Sequence, residues 1–128
     1  MDKRTICVDT SVFIDYFRSS KIEATLLSKL AKEYTIVITS VTNFEIKVGV
    51  NDTTEKFWNE VLKNITVLPF GEQESEIAVE LFKQLKKGNK IIGIQDIFIS
   101  ACCLSNHLPL ATLNAKRFER ISKLKIIK

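Results

Sequence analysis

The sequence predicts an α/β fold in which a short parallel β-sheet is flanked by helices on both faces, giving three layers, α/β/α. Two observations predict this fold. Apolar runs of strand length recur along the chain, and longer segments with helical spacing separate them. Strands that alternate with helices form parallel sheets whose two faces are covered. The length of 128 residues suits one domain, so we expect a single domain over residues 1–128.

Five segments have the length and the β-branched, apolar composition of strands. They are residues 5–8, 35–39, 65–68, 108–112 and 124–127. In open parallel sheets, ligands bind beyond the carboxyl ends of the strands. The residues that follow these strands are therefore the first place to look for a functional site.

The segments between the strands carry helical patterns. We expect a helix starting near Val12, and apolar stripes with helical spacing run through residues 22–31 and 57–62. Residues 72–88 have acids first and lysines last, which suits the helix dipole, and Gly88 supplies a stop. Residues 94–106 are apolar nearly all round, so this helix should be buried.

Composition excludes several classes of protein. The three cysteines, at positions 7, 102 and 103, are odd in number and form no C-x-x-C pair, so we predict neither a disulfide framework nor a zinc knuckle. They should behave as small buried hydrophobes. The longest near-apolar run, residues 97–104, is far shorter than the roughly 20 residues of a membrane span.

The ends and the charge give weaker expectations. Residues 1–4 lead directly into the first strand without an apolar signal region, so we expect the cytoplasm. A net charge of +4 permits an anionic partner without requiring one.

Four oxygen-bearing side chains each follow a strand or begin a helix, and each has an ordinary alternative role. Asp9 could cap a helix, Glu45 could close a capping box with Thr42, Asp96 could be an N-cap, and Asn114 could be a loop residue. These alternatives remain open for each position alone. Together, the four fall on one predicted sheet edge, which independent caps would rarely do.

Asp96 carries the strongest signal of the four. It is the only formal charge between Lys90 and His107, at the start of the most apolar helix. A carboxylate against a buried helix is costly unless something pairs with it. Because no basic residue lies nearby in sequence, a metal ion would resolve the problem.

Elimination narrows the chemistry further. The chain has one histidine and no glycine-rich phosphate loop, and Ser11 stands where a phosphoaspartate phosphatase needs a second aspartate. Carboxylates without imidazole or thiolate select hard cations, Mg²⁺ or Mn²⁺. Such an ion can activate water and stabilise charge during in-line attack on phosphorus.

Four stretches together resemble the motifs of PIN domains, especially those of the toxins in VapBC toxin–antitoxin pairs. They are residues 8–17, 40–49, 96–102 and 108–118, read in that order over nearly the whole chain. The resemblance implies an acidic pocket holding one or two divalent ions, an RNA substrate, a homodimer and a cognate antitoxin. It implies that Asp9, Glu45 and Asp96 hold the metal, while Asn114 lies where many members carry a fourth ligand and Thr112 where a hydroxyl often assists.

The chain departs from this family at Arg117, where many relatives carry an acid, and this favours one ion over two. We therefore predict a Mg²⁺- or Mn²⁺-dependent RNA endonuclease, with basic side chains contacting the RNA. These are Lys47, Lys116, Arg117 and Arg120. The alternatives are a catalytically silent module of the same fold that binds nucleic acid or protein, and, more weakly, a metal-dependent phosphatase of small esters.

Overall fold

The computed structural model describes residues 3–128. Within that range, five strands form one parallel sheet in the order β3-β2-β1-β4-β5. The strands are β1 (Arg4–Val8), β2 (Tyr34–Thr39), β3 (Thr66–Leu68), β4 (Leu110–Ala111) and β5 (Ile126–Ile127). The helices are α1 (Thr10–Arg18), α2 (Leu26–Glu33), α3 (Ser40–Val48), α4 (Glu55–Leu62), α5 (Glu72–Lys87), α6 (Ile94–Ser105) and α7 (Ala115–Phe118).

Two apolar clusters lie on opposite faces of the sheet, because alternate residues of a strand point to opposite faces. Ile6 and Val8 of β1 pack in one cluster, with side chains from α1, α2, α3 and α4. Cys7 packs in the other cluster, with side chains from α5 and α6 and with Phe118 of α7. The predicted three-layer α/β/α arrangement is therefore confirmed.

Hydroxyl and carboxyl side chains begin the two helices that follow the central strands. Asp9 caps α1 by accepting a hydrogen bond from the backbone N–H of Ser11, and Thr39 caps α3 by accepting one from Thr42. Each cap stands directly after its strand, β1 or β2. Both helices therefore start at the carboxyl edge of the sheet.

Several predicted boundaries needed correction. The segment 22–31 is a short 3₁₀ turn, Ile22–Ala24, followed by α2, because the Thr25 side chain caps a new start. The capping box of Thr42 and Glu45 is wrong, since α3 begins at Ser40 and both residues lie inside it. The helix predicted near Val12 begins at Thr10.

Two expectations from composition can be compared with the structure. The three cysteines are buried and free, as predicted. Among residues 3–128, no helix combines the length and the apolar character that a membrane crossing requires.

Candidate active site

Strand register places Asp9 beside Thr112. Val8 of β1 pairs with Ala111 of β4, so the next residue of each strand reaches the same point on the carboxyl edge. Thr112 Oγ1 donates a hydrogen bond of 2.6 Å to Asp9 Oδ2, while the N–H and hydroxyl of Ser11 donate to Asp9 Oδ1 at 3.0 and 2.5 Å. Asp9 is only 2% exposed, so these donors compensate for the water that its carboxylate has lost.

Glu45 enters the same region from the second turn of α3. Its Oε1 accepts a hydrogen bond of 2.6 Å from Thr10 Oγ1, in the first turn of α1. Glu45 is half-buried and makes no contribution to capping α3, whose cap is Thr39. Its place inside the helix, aimed across at Thr10, indicates a role in this cleft and excludes the ordinary capping role.

Asp96 lies in the first turn of α6 and is paired with Arg117. Arg117 Nε lies 3.0 Å from Asp96 Oδ2, and Nη2 donates to Oδ1 at 3.3 Å. Burial raises the pKa of Asp96 above its usual value, Arg117 opposes that rise, and the nearby Asp9 and Glu45 charges add to it. No basic residue lies near Asp96 in sequence, as noted above, but the fold brings Arg117 to it from 21 residues further along the chain, so a metal ion is not its sole source of positive charge.

The three acids line one cavity of about 450 Å³ at the carboxyl edge of the sheet. Asn114, the fourth predicted site residue, lines it as well, and Thr112 lies behind Asp9. The complete lining is Asp9, Thr10, Ser11, Ile14, Asp15, Arg18, Glu45, Asp96, Ile99, Asn114 and Arg117.

One face of α1 contributes residues to the cavity that were not among the predicted site residues. Ser11, Asp15 and Arg18 line the cavity. Their spacing of four and three residues places them on one side of a helix, which is a signal present in the sequence.

Three of the basic side chains predicted to contact RNA do not line the acidic cavity. Lys47 is exposed in the last turn of α3, and Lys116 lines an adjoining cavity that shares Asn114 and Arg117 with the acidic one. Arg120 donates a hydrogen bond to the carbonyl of Ile91. None of the three lines the acidic cavity, whose described cationic side chains are Arg18 and Arg117.

The donor chemistry of this cavity suits a hard divalent cation. Asp9, Glu45 and Asp96 supply carboxylate oxygens, and no histidine or cysteine side chain lines the cavity in the described chain. Within residues 3–128, however, no three His, Cys, Asp or Glu side chains form a group that could hold a metal ion. Mg²⁺ commonly uses one or two carboxylates and keeps several waters, so a site of that kind fits these residues.

Comparisons with known proteins agree with this architecture. "Ribonuclease VapC1" of Methanocaldococcus jannaschii is 29% identical over 123 residues, covering 95% of this chain and 85% of that protein. A crystal structure of VapBC2 from Rickettsia felis, bound to a DNA fragment from the promoter, superimposes with a TM-score of 0.83 at 22% identity, covering 96% of this chain and 97% of that one. A toxin–antitoxin complex from Klebsiella pneumoniae gives a TM-score of 0.77 at 23% identity, covering 96% of each chain.

The motif resemblance is confirmed by a match to a whole family. The sequence profile described as PIN domain matches residues 6–124, from the second half of β1 to the residues that precede β5. That range includes all three acids of the cavity, together with Asn114 and Arg117. The chain therefore belongs to the PIN domain family.

Proposed function

We propose that this protein is a divalent-cation-dependent endoribonuclease whose reaction takes place in the acidic cavity. The observation that carries the proposal is the convergence of Asp9, Glu45 and Asp96, which belong to α1, α3 and α6 or cap them, on one cleft. The ribonuclease names of relatives such as the one from M. jannaschii support RNA as the substrate. Neither a phosphate loop nor a catalytic histidine competes for this role in the sequence.

In this proposal Asp9 and Asp96 hold the ion directly, and Glu45 holds it directly or through its waters. When bound, Mg²⁺ or Mn²⁺ would activate water for attack and offset negative charge on the phosphoryl oxygens. Thr112 and Ser11 keep the Asp9 carboxylate in one orientation by donating to its two oxygens. Thr10 does the same for Glu45. Fixing ligands in this way is what gives such sites their affinity.

The remaining lining residues suit the RNA strand. Asn114 is exposed at the cavity mouth and can donate or accept a hydrogen bond to a phosphate or a water molecule. Arg18 and Arg117 supply positive charge beside the acids. Lys116, which lines the adjoining cavity, would contact the strand next to the cleft, while Lys47 and Arg120 would contact more distant parts of it. Each neutralised phosphate should steepen the salt dependence of binding, by a log–log slope of roughly 0.7 on single strands.

A protein partner is part of the proposal. The VapBC2 and K. pneumoniae structures are complexes, and the latter is described as toxin and antitoxin. Beside Glu45, helix α3 leaves Phe44 and Val48 65% and 69% exposed, one turn apart on the same side. We infer that an antitoxin covers this apolar surface, and that the toxin forms a homodimer. Co-purification with the product of the adjacent gene tests the first of these inferences.

The direct test is cleavage of a single-stranded RNA by the purified protein. Wild type should cleave with Mg²⁺ and stop in EDTA, and Asp9→Asn, Glu45→Gln and Asp96→Asn should each reduce cleavage to background while remaining folded. Asp52→Asn is a matched control, because Asp52 is exposed and outside the cavity lining. Near-wild-type cleavage by an Asp9 or Asp96 variant would contradict the proposal. Folded wild type that binds RNA but never cuts it would favour a silent binding module.

A further inference from the structure

Arg117 contacts both oxygens of the Asp96 carboxylate, which is buried and which the proposed reaction requires. The side-on pair joins Nε to Oδ2 and Nη2 to Oδ1 of Asp96, at 3.0 and 3.3 Å. This two-pronged geometry is the strongest arrangement between a guanidinium and a carboxylate. The Asp96 side chain is 11% exposed and that of Arg117 is 54% exposed, so the carboxylate is fixed while the base reaches it from the cavity mouth.

Asp96 needs a positive charge more than its neighbours do. Asp9 and Glu45 are held by hydroxyl donors, which carry no formal charge. Asp96 combines burial with the repulsion of both those acids. Among the ion pairs within residues 3–128, that with Arg117 is the one that involves a carboxylate of the cavity. Arg117 therefore supplies the charge that a divalent cation would otherwise supply.

We propose that Arg117 is an internal counter-ion that competes with the divalent cation for Asp96. The inference rests on the proposed function in one respect, that a divalent cation is the ligand of this cavity. Each Asp96 oxygen keeps a free lone pair, but the guanidinium charge 3.0 Å from Oδ2 repels a divalent cation, so the ion binds Asp96 at full strength only when Arg117 withdraws toward solvent. Arginine stays protonated at every accessible pH, so loss of the Arg117 charge does not relieve the contact, whereas a competing cation or an anion that attracts Arg117 does. The protein consequently binds the ion more weakly than its three acids alone would.

The test is calorimetric titration of the purified chain with Mn²⁺ in the absence of RNA. Removing the competing charge in Arg117→Gln should tighten Mn²⁺ binding by about tenfold or more. Arg4→Gln is the matched control, because Arg4 lies at the amino end of β1 over the ring of Tyr34, and its Mn²⁺ affinity should equal that of wild type. Arg117→Lys keeps a charge but loses the two-pronged geometry, so its affinity should lie between those of wild type and Arg117→Gln.

Melting temperatures give a second readout, which distinguishes a change in Mn²⁺ affinity from a general loss of structure in the variant. In EDTA, Arg117→Gln should melt below wild type, because Asp96 then lacks its counter-ion, and Mn²⁺ should raise its melting temperature more than that of wild type. Equal or weaker Mn²⁺ binding by Arg117→Gln overturns the inference. If wild type cleaves RNA with Mg²⁺ while that affinity is unchanged, the inference alone fails. If Arg117→Gln binds Mn²⁺ more tightly but no variant cuts RNA, the proposed function alone fails.

Discussion

Thr112 donates a 2.6 Å hydrogen bond to Asp9 across 103 residues of sequence. The two residues follow neighbouring parallel strands whose last pair is Val8 with Ala111. Both are buried, so this bond fixes the carboxylate at the floor of the cavity. The same threonine oxygen accepts the backbone N–H of Asn114 at 2.9 Å, which ties the fourth predicted site residue to the first.

We expect Thr112→Val to lower both the free energy of unfolding and the rate of RNA cleavage. Valine keeps the shape but leaves a buried Asp9 oxygen and the Asn114 N–H without this partner, which should lower the free energy of unfolding by about 1–3 kcal/mol. Chemical denaturation measures this loss. The control, Thr66→Val on the exposed strand β3, should stay within about 0.5 kcal/mol of wild type. Equal stability of the two variants would show that the Thr112 bond contributes little.

Thr10 should act on cleavage through Glu45 and not through the fold. Thr10→Val removes the donor to Glu45 Oε1, and loss of an orienting partner of this kind costs about 10- to 100-fold in activity or metal affinity. Thr10→Ser keeps the hydroxyl and should restore most of the cleavage rate, as measured on the same RNA. A serine variant as inactive as the valine variant would contradict this orienting role.

Glu74 should contribute to stability only above acidic pH. The Ser105 hydroxyl, and secondarily the Gly71 N–H, lower the pKa of Glu74 below its ordinary value of 4.5 by donating to its carboxylate. Because the folded-state pKa is the lower one, the stabilisation is complete above 4.5 and is lost as the pH falls through the folded-state value. Glu74→Gln should therefore melt below wild type at pH 7, and the gap should close in acid. A gap that stays constant with pH would exclude this ionisation as its cause.

The layers of the fold could be predicted from the sequence because they follow from local patterns of apolar and polar residues. Alternation of apolar strands and amphipathic helices gave the correct layers, and Gly88 ended α5 where expected. The short strands β4 and β5 were overextended, since each has only two paired residues and apolar residues continue beyond them. The helix starts were less accurate, because Thr25 and Thr39 are caps whose selection depends on the neighbouring turn.

The site was predictable in part, for a related reason. Asp9 and Asn114 follow strands, and Glu45 and Asp96 lie near helix starts, so topology alone placed them on one edge of the sheet. Their partners could not be predicted this way. The contact of Arg117 with Asp96 depends on the path of the loop and short helix after β4, and no local pattern encodes that path.

The most direct test of the central claim is an anomalous-difference map from crystals of the protein soaked in Mn²⁺. The account predicts one strong peak in the acidic cavity, within coordination distance of at least two of Asp9, Glu45 and Asp96, and no such peak in crystals of Asp96→Asn. A peak only elsewhere on the molecule, or no peak in the cavity of wild-type crystals soaked at saturating Mn²⁺, would contradict the claim that these carboxylates hold the ion.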